Sequence, residues 1–134
     1  MPEVAKERTN WRDSGLSDRH RQWGESSPIL DLDFIVAEYD YYKAIALVEY
    51  KHEYAKKLKR NAPAYRVLID LANRARIPAF SVRYTGDYSS WYVVPLNRLA
   101  LKWVPKRVTM SEQKYVDLLY RMRGREPDPW EALQ

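Results

Sequence analysis

The sequence predicts an α/β (α+β) domain in which a central mixed β-sheet is flanked by helices. Three observations carry this. The stretch 31–53, DLDFIVAEYDYYKAIALVEYKHE, holds two runs rich in Ile, Val, Leu, Phe and Tyr, as a pleated, half-buried surface requires. An apolar stripe at helical spacing follows, with Tyr65, Leu68, Ile69 and Ala72. Two more alternating runs, 79–84 and 90–96, flank a turn containing Gly86 and Asp87. The order is helix, two strands, helix, two strands, helix, which suits a layered α/β or α+β sandwich.

The hairpin organises the chain. Its strands are expected at 31–38 and 44–51, joined by an odd-length turn over 40–42. Pairing about Tyr41 sets Ile35 opposite Leu47, Asp33 opposite Glu49 and Asp31 opposite Lys51. A one-residue slip would send these sets to opposite faces. In this register three carboxylates and one ammonium gather at the open end of an otherwise apolar hairpin. Adjacent buried carboxylates repel, and a bound cation would relieve that.

The other elements follow in order. Residues 1–13 are polar, with 1–10 read as loose. Ser14 or Ser17 can cap a helix reaching Trp23 and stopped by Gly24. Residues 25–28 form a turn. After Lys51, HEYAKKLKR reads as a basic helix. Asn61 can cap the next helix, which tolerates Pro63 in its first turn and runs to Ala75, with Arg66, Asp70 and Asn73 outward. On the strand 79–84, Phe80, Val82 and Tyr84 share one face, Ser81 and Arg83 the other. Residues 97–105 are ambiguous; Leu99, Leu101 and Trp103 alternate, so a short strand or an extended segment is allowed there. Thr109 and Glu112 make a capping box for a helix to Met122 that buries Tyr115, Leu118, Leu119 and Met122 and stops at Gly124. Residues 125–134 read as a loose tail. Most of the eleven tyrosines are expected in the core, because phenylalanine numbers only two.

Length and composition set bounds. The 134 residues suit a single domain, 1–134, with a real core. There is no cysteine, hence no disulfide and no thiolate metal site, and two histidines make a poor zinc set. No apolar run is long enough to span a bilayer and no secretion signal is visible, so no membrane partner and a cytoplasmic location are expected. The net charge is +5, which favours polyanions. Between Arg98 and Arg125 eight Lys or Arg stand against Glu112 and Asp117, and residues 51–60 hold five against Glu53. A basic body around a locally acidic pocket suits a protein that holds phosphates and a metal.

An Asp on one strand followed by Glu-x-Lys on the next resembles the signature of the PD-(D/E)xK nuclease superfamily. The matching residues are Asp33, Glu49 and Lys51, with Pro28 upstream in PILDLD. The segments DLDFIV, IALVEYKHE and IPAFSVRY look most similar to small phage-encoded nucleases of that superfamily, over residues 10–123. The resemblance implies a restriction-endonuclease-like core and a DNA endonuclease that uses Mg2+, with Mn2+ as a substitute. It implies Asp33, Glu49 and the backbone carbonyl of Tyr50 as metal ligands, Lys51 as the residue that orients or deprotonates water, and pairing into a homodimer. Asp31 could hold a second ion through water or pair with Lys51. A second Glu-x-Lys, at Glu112 and Lys114, falls in a predicted helix, so the tripeptide alone carries little.

Each assignment has a plainer counterpart. The hairpin charges could be a cross-strand salt bridge at a solvated sheet end, and the chain a catalytically inactive DNA- or protein-binding module. Lys56, Lys57, Lys59 and Arg60 could grip the DNA backbone or merely solvate a helix. Arg83, Arg98 and Arg107 are further candidates for DNA contact, and some tyrosines could stack on bases. His20 could touch phosphate or water near the metal, or be a half-exposed helix residue. RNA as the substrate stays open.

Overall fold

The structure is a computed structural model and describes residues 14–22, 32, 34–57 and 62–125. The chain forms two compact units, 1–31 and 32–134. In the first, α1 spans Ser14–Gln22. In the second, β1 (Phe34–Glu38), β2 (Lys43–His52), β3 (Ala79–Tyr84), β4 (Trp91–Pro95) and β5 (Val108–Met110) form one sheet in the order β1-β2-β3-β4-β5. Only β2 and β3 run parallel, so the sheet is mixed as expected. A parallel pair needs a long crossover, and α2 (Pro63–Ala75) lies in it. Two more helices follow, α3 (Arg98–Leu101) and α4 (Glu112–Met122). Among the described residues no helix is long and apolar enough to cross a membrane.

Alternation along the strands gives each sheet face its own core. On one face Leu47, Ala79 and Leu96 pack with Tyr65, Leu68 and Ala72 of α2. On the other, Val48, Phe80, Val82 and Val93 pack with Tyr115, Leu118 and Met122 of α4 and with Ala100 and Val104. The apolar stripes read on α2 and α4 are thus their buried sides, with Ile69 and Leu119 at the margins. Phe80 is 2% exposed, and truncating such a side chain to Ala costs about 3–5 kcal/mol.

The hairpin keeps the expected register where the strands pair, with Ile35 opposite Leu47 and Phe34 opposite Val48. The turn differs. Glu38 pairs with Lys43, leaving a four-residue loop, Tyr39–Tyr42, closed by the left-handed Tyr42. An irregularity beyond Val36 pairs Ala37 with Ala44, so Ile45 is the extra residue. The bulge restores the register that an even turn would have inverted. The expected strand begins at Asp31, and Asp31 and Asp33 lie outside the described residues.

Four other expectations are corrected. HEYAKKLKR does not open as a helix: residues 53–55 turn, and Lys56 and Lys57 carry no element. The Nη1 of Arg83 donates to the carbonyls of His52, Glu53 and Ala55 at 3.0, 3.0 and 2.9 Å, claiming acceptors a helix would need. The N-cap of α2 is Ala62, without a side-chain cap, and Asn61 lies outside the described residues. Residues 97–105 are not extended, because the pair that becomes buried is Ala100 and Val104 at helical spacing. Asn97 caps α3: its Oδ1 accepts from the amides of Ala79 and Ala100, and its Nδ2 donates to Asn73 and to the Ile77 carbonyl. Finally, α4 is capped by Ser111, whose Oγ accepts from the Lys114 amide, while Thr109 pairs with Tyr92 in β5. At the other end Gly124, with φ +72°, closes the helix as expected.

Candidate functional site

The Glu-x-Lys pair lies near the end of β2. Glu49 and Lys51 share one side of the strand, and the Lys51 Nζ sits 2.9 Å from the Glu49 Oε1. Both side chains are partly exposed. The parallel register places Glu49 beside Ser81 and Lys51 beside Arg83. The next pairing sets Ser81 beside Val94 and Arg83 beside Tyr92. One sheet face therefore carries Glu49, Lys51, Ser81, Arg83 and Tyr92 in adjoining rows, next to α2.

These rows border a half-open cleft of about 290 Å³ lined by Lys51, Lys57, Tyr65, Ser81, Arg83, Tyr92, Val94, Leu96 and Arg107. Among the described residues four cations face it, and none of the lining side chains is a carboxylate. Like charges side by side on neighbouring strands repel. Glu49 offsets Lys51, and the three carbonyls that take Arg83 offset that guanidinium. Lys57 and Arg107 have no carboxylate partner among the described residues. The surplus makes the cleft electropositive. On its floor the Tyr65 hydroxyl lies 3.3 Å from the Ser81 Oγ.

Of the expected metal ligands, Glu49 and Tyr50 are described. Glu49 stands beside Lys51 and Ser81, which line the cleft, and the backbone of Tyr50 follows it. The Leu47 amide bonds the Pro78 carbonyl, so strand alternation turns the Tyr50 carbonyl to the β1 side, beyond the Phe34–Val48 pair. A carboxylate and a carbonyl are the hard oxygen donors Mg2+ takes, but two do not fill its shell. Among the described residues no group of three His, Asp or Glu could hold a metal. Asp31 and Asp33, the other expected ligands, lie outside them.

The remaining candidates separate. Lys57 and Arg83 line the cleft, and Lys56 is exposed beside it. Lys59 and Arg60 lie outside the described residues. Arg98 starts α3 and does not line the cleft, whereas Arg107 does. His20 is half-buried on α1, in the unit 1–31. Tyr65 and Tyr92 were not foreseen: Tyr65 reads as core on its helix, and only strand register brings Tyr92 beside Arg83.

The tyrosines overturn one expectation. Tyr39, Tyr41, Tyr42, Tyr54 and Tyr88 are exposed, and only Tyr65 and Tyr115 are fully buried among the described residues. The side chain of Tyr50 points away from the cleft, its hydroxyl bonded to that of Tyr115. Burial raises the pKa of both phenols.

At the turn end of the hairpin stands a second ionic cluster. Glu38 is 3% exposed. Its carboxylate accepts from the Arg123 Nε at 3.1 Å, the Arg125 Nε at 2.6 Å, the Arg125 Nη2 at 2.8 Å and the Asp40 amide at 3.2 Å. Arg125 also bonds Asp40. The Arg125 guanidinium above all holds the Glu38 carboxyl down at about 2. Arg125, expected in a loose tail, is thereby fixed to the hairpin. In comparisons with known proteins, no family model, no curated protein and no solved structure matches the chain.

Proposed function

We propose that this protein is a metal-dependent DNA nuclease whose reaction centre is the Glu49 end of the basic cleft. The observation that carries the reading is the juxtaposition of Glu49 and Lys51, 2.9 Å apart, at the rim of a cleft with surplus cations. A protein that only binds DNA gains nothing from a carboxylate there, since it repels phosphate. The reading also leans on the PD-(D/E)xK resemblance, whose general class, a mixed sheet flanked by helices, is the class of this fold.

In this reading Glu49, Asp33 and the Tyr50 carbonyl would hold Mg2+, or Mn2+ in its place. The ion would supply an acidified water and a neutralised phosphate. Lys51 donates a hydrogen bond to the attacking water or to a phosphate oxygen and offsets the charge that develops. The water oxygen bonds to phosphorus as the bond to the leaving oxygen breaks; the attacking water gives up a proton to solvent, and the leaving oxygen takes one from solvent. Lys57, Arg83 and Arg107 hold flanking phosphates and set the register of the strand on the site.

The rival reading also rests on an observation. The Glu49–Lys51 pair is a complete ion pair as it stands, so a binding module on the same fold would keep it for structure alone. The deciding experiment incubates supercoiled plasmid and a four-way DNA junction with the protein in Mg2+, Mn2+ or EDTA. Cutting that needs the metal is expected. Binding of both substrates with no cutting under any metal would overturn the nuclease and leave the binding module.

A further inference from the structure

The sheet face opposite the cleft carries a series of rings that the core does not close. Trp91 stacks on the buried Tyr115, with centroids 5.1 Å apart and planes 7° from parallel. Tyr84 lies 5.5 Å from Trp91 at 28°, and Tyr88 lies 5.8 Å from Tyr84 at 18°. His52 sets its edge against Tyr84 at 5.5 Å, and Tyr54 lies 5.2 Å from His52. Exposure grows outward: Trp91, Tyr84 and His52 are half-buried, Tyr88 is 54% exposed and Tyr54 86%. A series that served only packing would end in a covered ring.

The outer rings are held in place. Tyr88 has φ +61°, a conformation side-chain-bearing residues rarely adopt. The turn around it fixes that conformation: the Tyr88 amide bonds the Thr85 carbonyl, and the Trp91 Nε1 bonds the Tyr88 carbonyl. The Asp87 carboxylate accepts from the Thr85 and Ser89 hydroxyls and the Ser89 amide. Gly86 lets this turn close on its neighbour, since a Cβ there would stand 3.2 Å from the His52 Nε2. Its amide takes up the Glu53 carboxylate. Both acids beside the rings are therefore engaged, and Lys56 and Lys57 are not ion-paired among the described residues.

We propose that Tyr54, His52, Tyr84, Tyr88 and Trp91 form a stacking platform for the unpaired bases of a single DNA strand whose backbone lies in the basic cleft. The inference rests on the cleft being a DNA site and adds the substrate class, DNA with an unpaired segment. Continuity supports it. Tyr54, on the turn, and Lys57, just past it, are three residues apart, about 10 Å of chain at most. Arg83, in the cleft wall, grips that turn through the carbonyls of His52, Glu53 and Ala55. One strand can thus touch cations on one face and rings on the other. Bases of any sequence stack on such rings. The unneutralised cations just past the turn suit the phosphates of the same strand.

The test measures binding in EDTA, where no metal-dependent cutting occurs, by fluorescence anisotropy of labelled oligothymidylate and of a blunt duplex of equal length. The proteins are the parent, Tyr54→Ala, Tyr88→Ala and, as a control from the hairpin tip, Tyr39→Ala. Each platform variant is expected to weaken oligothymidylate binding roughly 5- to 100-fold, with duplex binding and the control unchanged. Tyr54 is so exposed that its truncation leaves folding intact. Equal losses on both DNAs, or no loss on either, would overturn the platform. If the parent still cuts plasmid with Mg2+, the nuclease reading survives that failure. If the parent neither binds nor cuts any DNA, both fall.

Discussion

The two ends of the β1–β2 hairpin carry acid–base clusters of opposite design. At the turn end Glu38 is buried and accepts from two arginines and one backbone amide. At the open end Glu49 is partly exposed, and the cleft beyond its partner Lys51 holds three further cations. A structural ion cluster satisfies its carboxylate and closes. A site for an anionic substrate leaves charge unspent and open to solvent. The same strand pair thus separates the residue types that fasten the fold from those that could do chemistry.

The comparison can be broken by substitutions at either end. The largest effect is expected from Glu49→Gln, which should lower Mg2+-dependent cleavage by roughly 10²–10³-fold, the scale of losing electrostatic stabilisation at the reacting phosphate, since the ion it would hold neutralises that charge. Its thermal midpoint should barely move, because partly exposed pairs contribute only about 0–1 kcal/mol. A large loss of stability without loss of cleavage would reverse the roles given to the two clusters. Asn97→Ala provides a scale for a buried polar hub remote from both. It strands the Ala79 and Ala100 amides and should cost about 1–3 kcal/mol in urea unfolding, with cleavage at low temperature kept.

Glu38→Gln should lower the thermal midpoint by several degrees and leave cleavage unchanged. It should also flatten the acid limb of stability. The folded carboxyl is held at about 2 against an ordinary 4.5. Its contribution is therefore complete above about 4.5 and drains away as the pH falls toward about 2. Circular dichroism across that window in the parent and in Glu38→Gln checks the sign. The smallest effects belong to Lys57→Ala and Arg107→Ala. Each should weaken all DNA sequences alike and reduce the slope of log affinity against log salt by about 1. An unchanged slope would remove that cation from the cleft's working set.

Much of this contrast was legible in the sequence and part of it was not. Alternation along the two strands fixes which residues share a face but not their pairing; the Ile35–Leu47 register is inferred from an odd-length turn and holds because the bulge at Ile45 compensates for the even one. The bulge at Ile45 could not be read, since nothing in Ala44-Ile45-Ala46 marks an extra residue. Residues 97–105 misled because Leu99, Leu101 and Trp103 alternate while the small Ala100 fills the core. Asn97 gives no periodic signal, and its role depends on backbone from three separate elements. The basic run after Lys51 looks helical until Arg83, thirty residues later, claims its first carbonyls. Glu38 was visible only as a strand-end acid, because its partners lie at the far end of the chain. Asp33, on which the resemblance leans, lies outside the described residues, so the metal set rests on Glu49 and the register that leads to it.

The most direct test of the contrast is a Mn2+ titration followed by the electron paramagnetic resonance of the free ion, on the parent, Glu49→Gln and Glu38→Gln. Saturable binding by the parent, lost in Glu49→Gln and kept in Glu38→Gln, is the predicted result. Binding that survives Glu49→Gln unchanged, or a parent that binds no Mn2+, would contradict the assignment of the open end as the metal-holding site.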